Sequence, residues 1–399
     1  MFLILTTTFV GVELSVEDSF CQICECKRWS SSVTEVSCSH LSNDFFIPAE
    51  IRTGLRKLVL SHNNFSSIFK KSNVVYSGLR HLELTNYSII SVEREAFRSF
   101  PRLEYLDLSD NLIRFLDSNT FVTDNFLRTL VLAGNIISLP YHRPFLHAPQ
   151  ILNLDLSRCN INELPSATFR NMTRLLSLNL SKNSIDLLYG DEFETLENLT
   201  EVILDDNGLK LINQSTFRKN VRLKNLSLRG NYFLTLDCAG FKFLNIPSLE
   251  MLWLDGCKLL SLPSYSFGNL QNLTTLSVND NFLKTINFGE IQHLSNLKHL
   301  SVLENNLRCG CVGEYKHLCC SWDDLEILAT CNDVDWNDAK NTSCNQEFSF
   351  WDYLKPWQWK AVASIAGGCA VMVVISILLV KGPCLRRKID LNAIESIYI

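Results

Sequence analysis

Apolar residues recur in the middle of the chain with a spacing that no single helix or strand produces. The stretch LEYLDLSDNLI begins at Leu103, and its template, LxxLxLxxN, begins again at Leu127, Ile151 and Leu175. Within each copy the LxL alternation has the period of two that is typical of a short strand with one buried face. The pattern therefore predicts stacked coils, each of which contributes one strand to a parallel sheet.

The template fixes the phase of the predicted coils, which we number 1 to 11. Their first residues are 24 positions apart, with one step of 26, and are Leu55, Leu79, Leu103, Leu127, Ile151, Leu175, Leu199, Leu223, Leu249, Leu273 and Leu297. The Asn that follows each strand can bond backbone groups of neighbouring coils. Tyr87, Cys159 and Cys257 take its place in three coils. Tyr87 leaves the bonding of coil 2 open, and we expect the two cysteines to be buried thiols.

A row of phenylalanines follows the same phase, eighteen residues after the start of a coil. Its members are Phe97, Phe121, Phe145, Phe169, Phe193, Phe217, Phe241 and Phe267. We expect these rings to pack behind one another on the convex side of the stack, where curvature opens space.

These motifs make the chain similar to the leucine-rich repeat family, in the 24-residue class of extracellular receptors. The resemblance covers residues 21–350 and implies an α/β solenoid: a leucine-rich repeat horseshoe of short parallel strands, with about eleven repeats in 55–308. It also implies caps that shield the terminal leucines from water, namely an N-terminal cysteine cap in 20–54 and a C-terminal one in 309–350.

Fifteen cysteines are many for a reducing compartment, and most cluster at the two ends of the repeats, which favours an extracellular location. The resemblance implies four disulfides: Cys21 with Cys26, Cys24 with Cys38, Cys309 with Cys331, and Cys311 with Cys344. The adjacent Cys319 and Cys320 leave the C-terminal pairing open. A zinc site is the alternative for either cluster, but paired histidines at ligand spacing are absent from the sequence.

A second apolar run predicts a membrane anchor. Residues 361–380 carry no charge and are long enough to cross a bilayer as one helix, after a juxtamembrane segment at 351–360. Trp357 and Trp359 precede the run, and basic residues follow it in 381–388, so the N-terminal side is expected outside. The prediction is a single-pass type I protein of the plasma membrane.

The two ends of the chain carry targeting signals in this interpretation. Residues 1–19 resemble a signal peptide, although no basic residue precedes their apolar stretch. Residues 381–399 form a short cytoplasmic tail, in which Cys384 is a candidate for lipidation. The final apolar-x-apolar residues, 397–399, could add to a PDZ groove. Any signal is then expected to pass through a partner.

The outward positions of the strands are expected to form the ligand surface, on the concave side of the fold. Large side chains in such positions are typical of interfaces, although Trp253 could instead pack on a neighbouring strand. The candidate ligand-binding residues are Glu83, Tyr105, Asp107, Met251, Trp253 and Asp255.

Nine Asn-x-Ser/Thr sequons precede the predicted anchor and are candidate glycosylation sites. They begin at Asn64, Asn86, Asn171, Asn179, Asn198, Asn213, Asn225, Asn272 and Asn341. Asn179 and Asn225 fall on strands. Sugar there would hinder the middle of the concave face and move a ligand to coils 2–4, to coils 9–11 or to an edge.

Composition and motifs limit the classes of function that are expected. A formal charge of −5 without long basic runs gives no footprint for nucleic acid. No catalytic motif, cofactor-binding motif or metal-spaced ligand set is found, so neither an enzyme nor a cofactor is expected. Two hypotheses remain. The first is a cell-surface receptor or adhesion molecule that binds a protein ligand or an apposed cell-surface receptor, and that could form a homo-oligomer. The second is a Toll-like co-receptor or decoy without a signalling domain.

Overall fold

The computed structural model describes residues 15–30, 32–39, 47–62, 75–94, 96–121, 126–233, 244–262, 267–284, 286, 291 and 293–307, and the backbone alone of 326–329. Within them, helices α1 and α2 are Val16–Phe20 and Ala49–Arg52. The strands β1 to β16 are, in order, Glu25–Trp29, Ser32–Ser39, Lys57–Ser61, His81–Thr85, Ser91–Val92, Tyr105–Asp107, Phe115–Leu116, Thr129–Val131, Asn153–Asp155, Ser177–Asn179, Glu201–Ile203, Asn225–Ser227, Met251–Trp253, Thr275–Ser277, His299–Val302 and Glu326–Ala329.

The chain divides into two compact units. Unit 1 comprises Met1–Tyr232 and Asn245–Asp255, and unit 2 comprises Phe233–Leu244 and Gly256–Ile399. Strands β1 to β13 belong to unit 1, and β14 to β16 belong to unit 2.

Unit 1 is a parallel-strand solenoid, as the repeats predict. From β2 onwards the neighbours in its main sheet are β3, β4, β6, β8, β9, β10, β11, β12 and β13, and all these pairs are parallel. Equivalent residues of successive coils stand opposite each other, for example Leu82, Leu106 and Leu130. These leucines are fully buried. A separate pair, β5 with β7, places Ser91 opposite Phe115.

Side-chain amides connect each coil to the one before it. In coil 6, Asn183 Oδ1 accepts hydrogen bonds from the backbone N–H groups of Cys159 and Ile161, at 2.9 and 3.0 Å. Its Nδ2 donates to the carbonyls of Leu156 and Leu180, at 2.9 and 2.8 Å. The Asn of the repeat therefore satisfies backbone groups where the chain turns, which confirms its predicted role.

The Cys and Tyr variants of this position are accommodated without breaking the sheet. Cys159 is buried, and its Sγ lies 3.2 Å from the Leu132 carbonyl, the partner that an Asn would take. Burial raises the pKa of this thiol to about 12, so it stays protonated and can donate. Tyr87 is also fully buried, and its backbone N–H donates to Asn111 Oδ1 at 3.0 Å.

The predicted phenylalanine row packs in the interior of unit 1, with rings of successive coils stacked on one another. Phe97 stacks on Phe121 with ring centroids 5.7 Å apart, and Phe193 stacks on Phe169 and Phe217 at 6.2 and 5.3 Å. All five rings are buried. Phe241 lies outside the described residues.

The disulfide-bonded N-terminal segment adds one further layer to the sheet beside coil 1. Strand β2 pairs with β3, so that Val36 stands opposite Leu58, and β1 folds back antiparallel on β2. The disulfides Cys21–Cys26 and Cys24–Cys38 hold this layer, with Cα–Cα distances of 5.5 and 4.7 Å. These are the two N-terminal pairs that the family resemblance implies.

Unit 2 repeats the same construction. Strand β14 pairs in parallel with β15, and β15 pairs in parallel with β16. Asn305 Oδ1 accepts from the Leu283 N–H at 3.1 Å, and its Nδ2 donates to the Val278 carbonyl at 2.9 Å. Cys309, Cys311, Cys331 and Cys344 lie outside the described residues, so the C-terminal disulfides stay a prediction.

A left-handed residue ends the strand segment of every coil in unit 1 from coil 1 to coil 8. This eighth residue has φ between 51° and 71° and is His62, Asn86, Asp110, Gly134, Arg158, Lys182, Asp206 or Gly230. Only two of these residues are glycine, although left-handed backbone strains most others. The recurrence turns the chain off the sheet in the same way in each coil.

In the part of the chain that the structure describes, no helix is long and apolar enough to cross a membrane. Three predicted segments lie outside the described residues: the anchor at 361–380, the tail with Cys384, and the first fourteen residues of the signal peptide predicted at 1–19.

Candidate ligand-binding surface

The outward side chains of the parallel strands in unit 1 form one continuous surface, which we call the strand face. It consists of the third, fifth, seventh and eighth residues of each coil. Register in the sheet aligns these residues in rows across the coils, about 4.8 Å apart. All six candidate residues from the sequence are half-buried on it, namely Glu83, Tyr105, Asp107, Met251, Trp253 and Asp255.

The first candidate group lies in coils 2 and 3. Glu83 Oε1 lies 2.9 Å from Lys57 Nζ and 2.5 Å from His81 Nε2. Burial alone would raise the pKa of Glu83, but the hydrogen bonds from Lys57 and His81 outweigh it and lower this pKa. Glu83 is therefore a carboxylate whose charge is compensated within the sheet.

Tyr105 is held in place by its neighbours. Its ring stacks on His81 with centroids 4.1 Å apart and an angle of 3° between the planes. Burial, together with the negative charges of Asp107, Glu83 and Asp155, raises the pKa of Tyr105 to about 12. The phenol stays neutral throughout the physiological pH range, and it donates a hydrogen bond to Asp107.

The second candidate group lies in coils 8 and 9 and is organised by Arg229, which the sequence analysis missed. Arg229 Nε donates to Asp255 Oδ2 at 2.8 Å, and its guanidinium carbon lies 5.2 Å from the centroid of the Trp253 ring. Asp205 accepts from the Ser227 hydroxyl at 2.5 Å and from the Arg229 N–H at 2.9 Å. Trp253 thus contacts a residue of the neighbouring coil while part of its ring stays exposed.

Between these groups the strand face is lower, because coil 4 carries small side chains. Thr129, Val131, Ala133 and Gly134 form its four outward positions. Arg158 of coil 5 crosses above Gly134 and pairs with Asp110 of coil 3 at 2.8 Å. A Cβ on Gly134 would overlap the Asp110 carboxylate, so glycine is needed for this bridge as well as for the φ of +71°.

The sequons differ in accessibility. Asn86, Asn213 and Asn272 are exposed, whereas Asn171, Asn179, Asn198 and Asn225 are half-buried. Asn179 Nδ2, the atom to which sugar would be attached, donates to Asp155 Oδ2 at 3.0 Å. Asn64 and Asn341 lie outside the described residues.

A cleft of about 410 Å³ lies off the strand face, between coils 4 and 5. Ile136, Ile161 and Pro165 line it, and the Tyr141 hydroxyl bonds Glu163 beside it. Phe115, 67% exposed, lies outside the strand face as well. Among the described residues no cluster of His, Cys, Asp or Glu has the arrangement of a metal site.

Comparisons with known proteins agree with this architecture. The family model described as "Leucine rich repeat" matches residues 77–137, 149–201, 197–259 and 247–307, together more than half of the chain. No curated protein sequence is significantly similar to the chain.

Two solved structures show the same fold. One is a TLR13 chain from a complex with ssRNA13, with a TM-score of 0.62 and 24% identity over 73% of this chain. This match covers 43% of the TLR13 chain, so the protein spans less than half of that receptor's length. The other comes from the octameric complex of Latrophilin 3 (Lec, Olf), Unc5D (Ig, Ig2, TSP1) and FLRT2 (LRR), with a TM-score of 0.59 and 21% identity over 79% of this chain and 94% of that one.

Proposed function

Since the chain belongs to the leucine-rich repeat family, we propose that it is a cell-surface receptor or adhesion molecule that binds a protein ligand through its strand face. In this proposal residues 361–380 anchor it in the plasma membrane with the repeats outside. The four predicted disulfides and the candidate sugars suit that location, and a PDZ-type partner would bind the C-terminal residues.

The observation that carries the proposal is the pair of ordered aromatic side chains on the strand face. Tyr105 is stacked on His81, and Trp253 lies under Arg229. A side chain that is already fixed loses little conformational freedom when a partner covers it. Aromatic and arginine side chains also dominate the energetics of protein interfaces.

The solved relatives support a protein ligand to different extents. FLRT2 (LRR) stands in an assembly with two other proteins, whereas TLR13 was solved with ssRNA13. In coils 3 to 5 the outward charges are Asp107, Asp110, Asp155 and Arg158. This acidic balance opposes a polyanion and favours a protein.

A Toll-like co-receptor or decoy is the second candidate function. The similarity between the fold of this chain and that of the TLR13 chain favours it. Such a protein would bind a soluble ligand instead of an apposed cell. The two candidates therefore differ in whether expression makes cells adhere.

A mixed-cell aggregation assay tests the proposal. Non-adherent cells that express the full chain are mixed with labelled cells that do or do not express it. We expect expressing cells to cluster, and we expect Tyr105→Ala or Trp253→Ala to reduce clustering at equal surface level. Phe115→Ala is the matched control, because this exposed aromatic residue lies off the strand face.

The outcomes separate the candidates. Clustering that survives both strand-face substitutions but not Phe115→Ala would place the contact elsewhere and contradict the proposed surface. No clustering in either mixture would contradict adhesion between such cells and favour the co-receptor.

A further inference from the structure

The low part of the strand face has the form of a trough, which we define by coil 4 as its floor and by coils 3 and 5 as its walls. Val131 stands between Asp107 and Asp155 in the sheet register. Because neighbouring strands are about 4.8 Å apart, the two aspartates stand roughly 10 Å apart across this valine. Tyr105 extends one wall, and the Arg158–Asp110 bridge closes one end.

The two aspartates are fixed, but the contacts that fix them are neutral. Asp107 Oδ1 and Asp155 Oδ1 accept from the backbone N–H groups of Ser109 and Ser157, each at 2.8 Å. The second oxygen of Asp155 accepts from Asn179 Nδ2 at 3.0 Å. Lys57 pairs with Glu83 and Arg158 pairs with Asp110, although the charge of Arg158 also acts on Asp155.

Several other acidic residues of the strand face have a cation within 4.0 Å, since Asp205 and Asp255 share Arg229, and Glu83 has Lys57. Asp107 and Asp155 have neutral partners instead, as does Glu201, which accepts from the Ser177 hydroxyl. The pKa of Tyr105 responds to this field, because Asp107 and Asp155 both contribute to raising it. A partner that brings one positive charge between the two walls would compensate both carboxylates at once.

Sequon distribution points independently to the same coils. No Asn-x-Ser/Thr sequence occurs in residues 87–170, which contain coils 3, 4 and most of coil 5. Sequons flank this stretch at Asn86 and Asn171. Attached sugars would therefore surround the trough without covering its floor.

We propose that the trough of coils 3 to 5 binds a loop of a protein partner through a lysine or arginine side chain that inserts between Asp107 and Asp155 above Val131. The inference rests on the proposed function and specifies the chemistry of the ligand. The apolar stem of the basic side chain packs on Val131 and the Tyr105 ring, while its charged end bonds both carboxylates. Arginine fits best, because its planar group can donate to both walls.

A subtraction experiment with displayed loops tests the proposal. Phage that display disulfide-closed random peptide loops are first depleted on cells expressing the full-length Asp107→Asn/Asp155→Asn variant, and are then selected on cells expressing the unaltered chain. Asparagine keeps the shape and the acceptor for the serine N–H groups, so the fold is retained. Parallel depletions use Asp186→Asn, an exposed aspartate off the strand face, and Trp253→Ala.

We expect loops to survive depletion on the double aspartate variant and to be enriched in arginine or lysine. Replacing that basic residue by glutamine should weaken binding to the unaltered chain about tenfold or more and leave the background signal on the double variant unchanged. Depletion on Asp186→Asn should remove the same loops. Surviving loops without a required basic residue would overturn the proposal.

The depletions also separate this inference from the proposed function. Loops recovered after depletion on Trp253→Ala, but not after depletion on the double aspartate variant, would leave the strand face as a protein-binding surface and refute the trough. If neither depletion leaves loops above background, both proposals fail.

Discussion

Replacing Asn183 by alanine should destabilise unit 1 strongly, although the residue touches no proposed ligand. The substitution removes the acceptor of the Cys159 and Ile161 N–H groups and the donor to the Leu156 and Leu180 carbonyls. Leaving a buried backbone group unsatisfied costs about 1–3 kcal/mol. Because two N–H groups lose their acceptor, we expect a loss of about 2–6 kcal/mol in the free energy of unfolding.

The measurement is urea unfolding of the purified full chain in detergent, followed by tryptophan fluorescence, with hydrogen exchange at residues 156–161 as a local readout. Asn153→Ala is the matched control, because Asn153 is exposed and its side chain makes an exposed hydrogen bond to the Thr129 hydroxyl, at 3.1 Å, and not to a carbonyl of the preceding turn. We expect this control to change stability by less than about 0.5 kcal/mol. Equal effects of the two substitutions would refute the role assigned to the asparagine of the repeat.

Further expectations concern single positions. Gly134→Ala should cost about 1–2 kcal/mol, because alanine resists the φ of +71° and displaces the ion pair above it; an unchanged midpoint in urea would contradict this. Tyr105→Phe should remove one phenol that titrates near pH 12 in ultraviolet absorbance; since folding raises this pKa above 10, the contribution of Tyr105 to stability should fall as the pH rises from 10 to 12. The Cys159 thiol should resist alkylation at pH 8 in the native protein and react after unfolding, whereas rapid native reaction would argue against its burial. Peptide mapping should find more sugar on exposed Asn86 than on Asn179, because the Asn179 side chain is half-buried; higher occupancy of Asn179 would contradict this order.

Periodicity in the sequence predicts the repeating interior because a leucine, an asparagine and a phenylalanine each do the same work in every coil. Leu106, Asn183 and Phe193 occupy the places that the template assigns to them. Cys159 was also predictable, since a thiol can replace the amide as a donor. The left-handed eighth residue was less predictable, because Arg158 and Lys182 occupy it in two coils and these residue types rarely adopt a positive φ.

The candidate surface was less predictable, because its properties depend on which neighbours pair. Sequence marks Trp253 and Tyr105 as large residues in outward positions but does not show that Arg229 and His81 cover part of their rings. Similarly, Asp110 and Arg158 are 48 residues apart in the sequence. They can pair across coil 4 because Gly134, which lies between them, has no side chain. The environment of the Asp107 and Asp155 carboxylates depends on these pairings.

The direction of the asparagine bonds gives unit 1 a mechanical polarity. The side-chain amide of each repeat asparagine hydrogen-bonds the preceding coil, as Asn183 bonds the backbone of Cys159 and Ile161. Tension between a ligand held at coil 3 and a tether beyond coil 9 would pass through the coils between them and load these contacts one after another. Coils 1 and 2 and the disulfide-bonded cap would bear none of this load. A pulling experiment should therefore peel the stack from its C-terminal side and leave the N-terminal cap folded until last.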